Sequence, residues 1–181
     1  MFSRAKPHFS VVHTFRAAPH VVAAAMLDPE LPGFLREHHE LLAEASAEAH
    51  QEDGALVRRR VRYRPRPFLE RLGPKKIPPE YLAYVEETTF DRDSLTGSFE
   101  NRALRAAVRR HLINHGTVTL RATAEGRTER RIEGVLELVG LPPLLRPLRA
   151  WVQRLLRAEA ERLIDVEARC LEAFIARRAA V

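Results

Sequence analysis

Cysteine is almost missing from this 181-residue chain; Cys170 stands alone. No disulfide can form within the chain, which fits a reducing, cytoplasmic setting. With no cysteine cluster and no HExxH spacing among the histidines, no metal and no cofactor is expected. Serine nucleophile elbows, P-loops and dinucleotide fingerprints are absent too, so the common hydrolase and nucleotide-binding chemistries are not expected. No run of 18 apolar residues exists, which excludes a spanning helix. The segment Met1 to Pro7 lacks an apolar h-region, so no signal peptide is expected. Lysine is scarce, with only Lys6, Lys75 and Lys76, and the net charge of +6 is carried by arginine. That skew, beside heavy alanine use, looks like coding bias in a GC-rich genome. A basic total by itself is a weak pointer to nucleic acid. Without exposed aromatics interleaved among the arginines, base stacking has no platform, and nucleic acid is not an expected partner.

What is present is ordinary globular material, 45% hydrophobic and 30% charged. A single domain over residues 1–181 is expected, burying about 70% of its unfolded surface. Its longest element lies at the end. Leu145, Leu148, Val152, Leu155, Leu156, Leu163, Val166, Cys170 and Phe174 recur at spacings of three, four and seven, which puts them on one helical stripe. Arg154, Arg157, Glu161, Asp165, Arg169 and Glu172 fall opposite. The pattern predicts one helix from Leu144 to about Arg178, roughly 45–50 Å long, opened by Pro142, Pro143 and Pro147. Nothing else is long enough to be its equal, so a curved sheet is the expected partner.

The preceding chain supplies strands. His8 to Phe15 alternates as a short strand. Pro19 opens a helix to Leu27, and Asp28-Pro29 cap and start a second that buries Leu31, Phe34 and Leu35. From Leu41 the period becomes two, with Ala43, Ala45, Ala47 and Ala49 alternating with Glu44, Ser46, Glu48 and His50. Glu52-Asp53-Gly54 turns the chain into a return strand, Ala55 to Arg64. There Val57, Arg59, Val61 and Tyr63 share one face, and Arg58, Arg60, Arg62 and Arg64 the other, where Glu44 and Glu48 can pair with them. A helical turn is expected at 68–72 within a proline-rich connection. Tyr81 to Phe90, Leu95 to Asn101, Leu112 to Ala124 and Thr128 to Val139 read as further strands, while Arg102 to Arg110 suits helix or strand. Sequential hairpins make an antiparallel sheet, and a helix on one face makes the class α+β.

This order resembles the START-like superfamily, also called SRPBCC or Bet v 1-like helix-grip, in a bacterial branch of unknown function. The likeness spans the chain. Its local carriers are Val11 to Phe15 as first strand, Ala17-Ala18-Pro19-His20-Val21-Val22 as the "aPxxV" helix start and Leu27-Asp28-Pro29 as the "DP" break. The resemblance implies a curved antiparallel sheet gripping the last helix, two short helices after the first strand, and a deep cavity between sheet and helix. It implies members that bind lipids, sterols, polyketides or hormones, or act as aromatase/cyclases, without a universal catalytic set.

Candidate ligand-binding residues follow. Glu159 lies near the middle of the apolar stripe, where a charge is costly unless paired or hydrated. Either it faces a ligand, or Arg59 or another arginine neutralises it. Around it, 157–162 offers only Ala158 and Ala160 as apolar residues, a waist suited to closing a cavity, with Leu155 and Leu163 on either side. Arg59 interrupts an apolar strand face and suits an anionic ligand group, or lies outside if the register is reversed. Tyr63, Tyr81 and Tyr84 supply hydroxyls or simply pack. His13 shares a face with Phe9, Val11 and Phe15, as a ligand contact or a satisfied core histidine. Glu167 sits near the stripe's edge. His111 and His115 are expected to face outward. The function expected is carrying or sensing a hydrophobic small molecule or lipid. The alternatives are a polyketide cyclase or dehydratase using Glu159, Arg59 and His13, or weak contact of the arginine row with an acidic membrane surface.

Overall fold

The computed structural model describes residues 9–68, 70–72, 75–140 and 147–180. The chain runs β1 (Phe9–Phe15), α1 (Pro19–Leu27), α2 (Leu31–His38), β2 (Leu42–Asp53), β3 (Leu56–Pro65), a ribbon of β4 (Arg71–Leu72) and β5 (Lys75–Lys76), then β6 (Tyr84–Asp91) and β7 (Thr96–Ala103). A single helical turn, α3 (Ala106–Arg109), leads to β8 (Leu112–Ala122), β9 (Thr128–Leu138) and α4 (Arg149–Ala179). Among the described residues seven strands form one antiparallel sheet in the order β1-β9-β8-β7-β6-β3-β2. The class is α+β, with the helix-grip arrangement expected from the strand and helix order.

The inner face of the sheet meets α4, and α1 and α2 close one end between them. Val22, Leu27, Leu31, Leu35, Val57, Val61, Phe90 and Leu171 are almost wholly removed from solvent. Each such side chain contributes about 1.5–3 kcal/mol. Wrapping a sheet around a helix needs places where strands approach closely. Gly116 sits opposite Gly134, and a Cβ on Gly116 would fall 2.3 Å from the Glu133 carbonyl oxygen. The Phe9 ring covers Gly134 and the Phe99 ring approaches Gly116, replacing the missing side chains with aromatic surface.

The hairpin of β2 and β3 forms as expected, with Gly54 at φ +59° in its turn. Its alternation does not hold along β2. The register shifts between Leu42 and Glu44 and again between Ala47 and Ala49, and burial fades along the strand, with Ala45 buried and Ala47 and Ala49 exposed. β2 is a sheet edge, where bulges are common. The second shift makes Glu48 the extra residue, and it meets both Arg60 (2.9 Å) and Arg62 (2.7 Å). Glu44 pairs with Arg64.

Other boundaries move. The expected turn at 68–72 is not helical: Arg71 pairs with Lys76 across the ribbon, since so short a segment cannot nucleate a helix. Its Leu69 lies outside the described residues. Tyr81 ends a 3-10 turn from Pro79 and does not start a strand. The segment 102–110 divides, with strand to Ala103 and then α3. Asp28 accepts the Glu30 N–H (2.8 Å), but α2 begins at Leu31 with Pro32 in its first turn, so Pro29 belongs to the turn before it. α4 is one 31-residue helix, and Pro142, Pro143, Leu144 and Leu145 lie outside the described residues. Its buried residues, Val166, Ala168, Cys170, Leu171 and Phe174, all fall in the second half. Leu148 and Trp151, at the start of α4, are exposed.

Candidate functional site

Two adjoining chambers lie between the sheet and α4. The first encloses about 190 Å³ beside α1 and α2, and the second about 180 Å³ beneath the first half of α4. Tyr84, Asn101, Asn114, Ala160 and Leu163 border both and form the waist between them. Period two along the strands brings these side chains inward from β6, β7 and β8. Ala160 and Leu163 come from adjacent turns of α4.

The first chamber contains charges that are matched within the protein. Arg59 points inward between buried Val57 and Val61. It donates to the Met26 carbonyl, one of the carbonyls left free at the end of α1, and to Glu86 (3.3 Å), which also accepts from the Thr88 hydroxyl (3.2 Å). Burial alone would lower the Arg59 guanidinium. The acidic groups facing it, Tyr63, Glu86 and Glu167, outweigh burial and hold it above its ordinary value. Arg130 on β9 is 1% exposed and pairs with both carboxylate oxygens of Glu167 on α4, at 3.0 and 2.7 Å. Its guanidinium lies over the Phe15 ring, 5.2 Å from the centroid. Burial pushes the Glu167 carboxyl up, but Arg130, with Arg59 and His13, more than reverses this and keeps it below the usual range.

Histidine enters this chamber from α2. His39 is 3% exposed; its Nδ1 accepts from the Leu41 N–H (3.3 Å), which leaves Nε2–H to donate to the Leu163 carbonyl (3.1 Å). Burial is the main influence and lowers its pKa. The imidazole is therefore neutral near pH 7 and fixed in one tautomer. Burial likewise pushes the hydroxyls of Tyr63 and Tyr84 upward, so both stay protonated. Their rings stand 5.5 Å apart.

The second chamber is more uniformly apolar. Phe68, Leu82, Val108, Leu112, Leu138 and Leu156 wall it, and Glu159 is the one charged residue among the described lining. Glu159 is 12% exposed at its side chain, and Arg162, itself well exposed, comes only to 4.0 Å.

Of the residues singled out from sequence, Arg59, Tyr63 and Glu167 reach the first chamber, Tyr81 and Glu159 the second, and Tyr84 and Leu163 both. Arg59 does not neutralise Glu159, being held by Glu86 from a neighbouring strand. Leu155 lines neither chamber; a 100° step along the helix gives that place to Leu156. His13 lines neither as well. It bonds Asp165 (2.9 Å) and stands 3.4 Å from Arg130, supporting the buried pair from its rim. His115 is exposed, but His111 turns inward, its Nδ1 3.1 Å from the Val139 carbonyl, because it precedes β8 and escapes the strand alternation. Glu86, Arg130, His39, Asn101 and Asn114 were missed. The alternation through Ile132, Leu136 and Leu138 extends back to Arg130, and that of β6 places Glu86 beside Tyr84 and Thr88. Extending these two alternations across their polar members would have found Arg130 and Glu86; His39, Asn101 and Asn114 carried no such mark.

No protein-family model matches the chain, and no curated protein matches it in sequence. Solved structures match its fold. TTHA0849 from Thermus thermophilus is similar at TM-score 0.62 and 20% identity, over 91% of this chain and 96% of that one. The Zhui aromatase/cyclase from Streptomyces sp. R1128 is similar at 0.64 and 10% identity, over 94% of each chain. Ara h 8.0201 is similar at 0.57 and 9% identity, over 93% of this chain and 96% of its own. At these identities the likeness is one of fold: the chain has the helix-grip fold, a curved antiparallel sheet closed by a long final helix.

Proposed function

We propose that this helix-grip chain binds a hydrophobic small molecule or lipid between its sheet and α4, as a carrier or sensor. The observation that carries this reading is the pair of adjoining chambers beneath α4. Their walls are mainly apolar side chains with a few placed polar groups, the composition of small-molecule sites. The charges of the first chamber engage one another, so they do not demand a charged ligand. The fold likeness to solved helix-grip proteins supports the reading at the same coarse level.

A cyclase or dehydratase-like enzyme is the second reading. It rests on Glu159, a carboxyl facing the second chamber with no cation nearer than 4.0 Å among the described residues, and on the fold shared with an aromatase/cyclase. The arginine row is a weaker basis for function, since Arg60, Arg62 and Arg64 each face a carboxylate on the outer surface.

Native mass spectrometry of the purified protein and titration with an anilinonaphthalene dye test the leading reading. The expected result is a co-purifying small molecule, or saturable one-to-one dye binding that added ligand displaces. Absence of any displaceable ligand overturns it. Glu159→Gln separates the two readings: a carrier keeps its affinity for a neutral ligand within about twofold, whereas an enzyme using that carboxyl loses turnover by about 10²–10⁴-fold.

A further inference from the structure

The waist between the chambers carries the next step, which rests on the binding reading just given. Asn101 of β7 and Asn114 of β8 both face inward, on adjacent strands, and both border both chambers. The Asn101 Oδ1 is shut off from solvent and has no hydrogen-bond partner among the described residues. Its surroundings are not generally deprived of partners. Within the same cavity Glu86, Glu167 and His39 are bonded, and Arg59 and Arg130 are held through their Nη atoms with only their Nε–H groups unaccepted, so the Asn101 Oδ1 is the one buried side-chain acceptor without a donor among the described residues. A buried amide oxygen without a partner is unfavourable, and native proteins rarely leave one without a reason. Tyr84, on the next strand, borders the same waist and keeps its hydroxyl protonated, a second neutral polar group on its wall. The second chamber is walled mainly by apolar residues, Leu112, Leu138 and Leu156 among them, and the first offers Phe9, Phe99 and Ile132 beside charges that are paired with one another.

We propose that the two chambers form one elongated site for a molecule that is apolar at both ends and carries a neutral hydrogen-bonding group, a hydroxyl or amide, near its middle, where it donates to Asn101. A ligand with its polar group at one end would leave the Asn101 oxygen unpaired and place that group either against the apolar wall of the second chamber or against charges already paired with one another in the first. A mid-chain hydroxyl meets Asn101 as donor and can accept from Tyr84 or Asn114. Sites built to bond a ligand hydroxyl discriminate strongly against molecules that do not present it.

The test uses two isomers of equal composition, 6-undecanol and 1-undecanol, in dye displacement. Wild-type protein is expected to bind 6-undecanol on the order of tenfold more tightly, one hydrogen bond's worth of discrimination. In Asn101→Leu that preference should fall to about twofold or less while both alcohols still bind. The variant should also melt no lower than wild type, since it removes an unpaired buried group; a purely structural asparagine would lower the melting temperature on replacement. Asn114→Leu, made in parallel, is expected to weaken the preference by a smaller factor and keeps the test open if Asn101→Leu fails to fold. Binding of both alcohols without preference, or a preference that survives Asn101→Leu, overturns this inference alone. Failure of both alcohols and of the dye to bind overturns the binding reading and this inference with it.

Discussion

The first chamber is walled by two arginines and two glutamates, the second by Glu159 alone among the described charged residues. By charge count the first looks like the chemical centre. Its pairs run the other way: Arg59 answers Glu86, and Arg130 answers Glu167, each across two different elements of the fold. Those charges tie β3 to β6 and β9 to α4 through the arginine Nη atoms, and each has its counter-charge before any ligand arrives, with only the two Nε–H groups left without an acceptor among the described residues. Among the described residues, the second chamber has one carboxyl without a close cation, and the waist has one amide oxygen without a donor. A buried polar group informs about ligands to the extent that the protein leaves it unanswered.

The most disruptive way to break this contrast is to unpair the first chamber. Glu167→Gln leaves the enclosed Arg130 without its counter-charge and should cost about 3 kcal/mol in urea unfolding. The double variant Arg130→Met with Glu167→Leu should regain most of that loss, because neither charge then needs a partner. Equal instability of both variants would mean that the pair itself adds net stability where β9 meets α4, beyond each charge satisfying the other.

Filling the waist has the next largest effect. Ala160→Phe projects a ring where the chambers meet, and dye affinity should fall at least about tenfold, at a packing cost of about 1–3 kcal/mol in urea unfolding. If binding survives, the chambers act separately.

Acid should weaken the first chamber before the second. His39 is lowered from its ordinary 6.5 in the folded state, so as pH falls below 6.5 the unfolded chain takes up the proton first. Its contribution is complete above 6.5 and is lost as pH falls toward the folded value. Glu167 is lowered from 4.5 and acts in the same direction at lower pH, its contribution present above 4.5 and lost as pH falls through the folded value. Melting temperature should therefore decline from about pH 7 to about pH 5, and His39→Gln should flatten that decline.

The smallest effect belongs outside the cavity. Glu48→Gln removes one partner of Arg60, which keeps Glu87, and frees Arg62 from Glu48 on the outer face; it should change stability by less than about 1 kcal/mol, with dye affinity unaltered.

Much of the fold was legible because hydrophobic period reports directly on which face is buried. The inward set Val57, Arg59, Val61 and Tyr63, the hairpins at Gly54 and Gly126 and the long final helix all follow from it. The bulges of β2 were hidden because alternating alanine and glutamate looks the same whichever residue is extra. The site was legible only in part. Arg59 and Glu159 stood out as charges within apolar patterns, but their partners depend on which strands become neighbours. Glu86 meets Arg59 only because β6 joins β3 after an intervening ribbon. Asn101 and Asn114 gave no signal, since a lone asparagine in a strand reads as an outward residue until the opposite wall is known.

The pairing of β1 with β9 also sets an order of events in time. Phe9 pairs with Gly134 and Phe15 with Thr128, and β1 packs on α4 as well. The first strand must therefore wait for nearly the last before either can close the sheet, and for the final helix before its inner face is covered. At about 5–20 residues per second that wait during synthesis is on the order of 10 s. Contacts of such sequence separation slow folding because the long loop must close before they reward it. Until then the apolar face of β3, β6 and β7 is uncovered, which makes nascent chains stalled before α4 the most aggregation-prone form of this molecule.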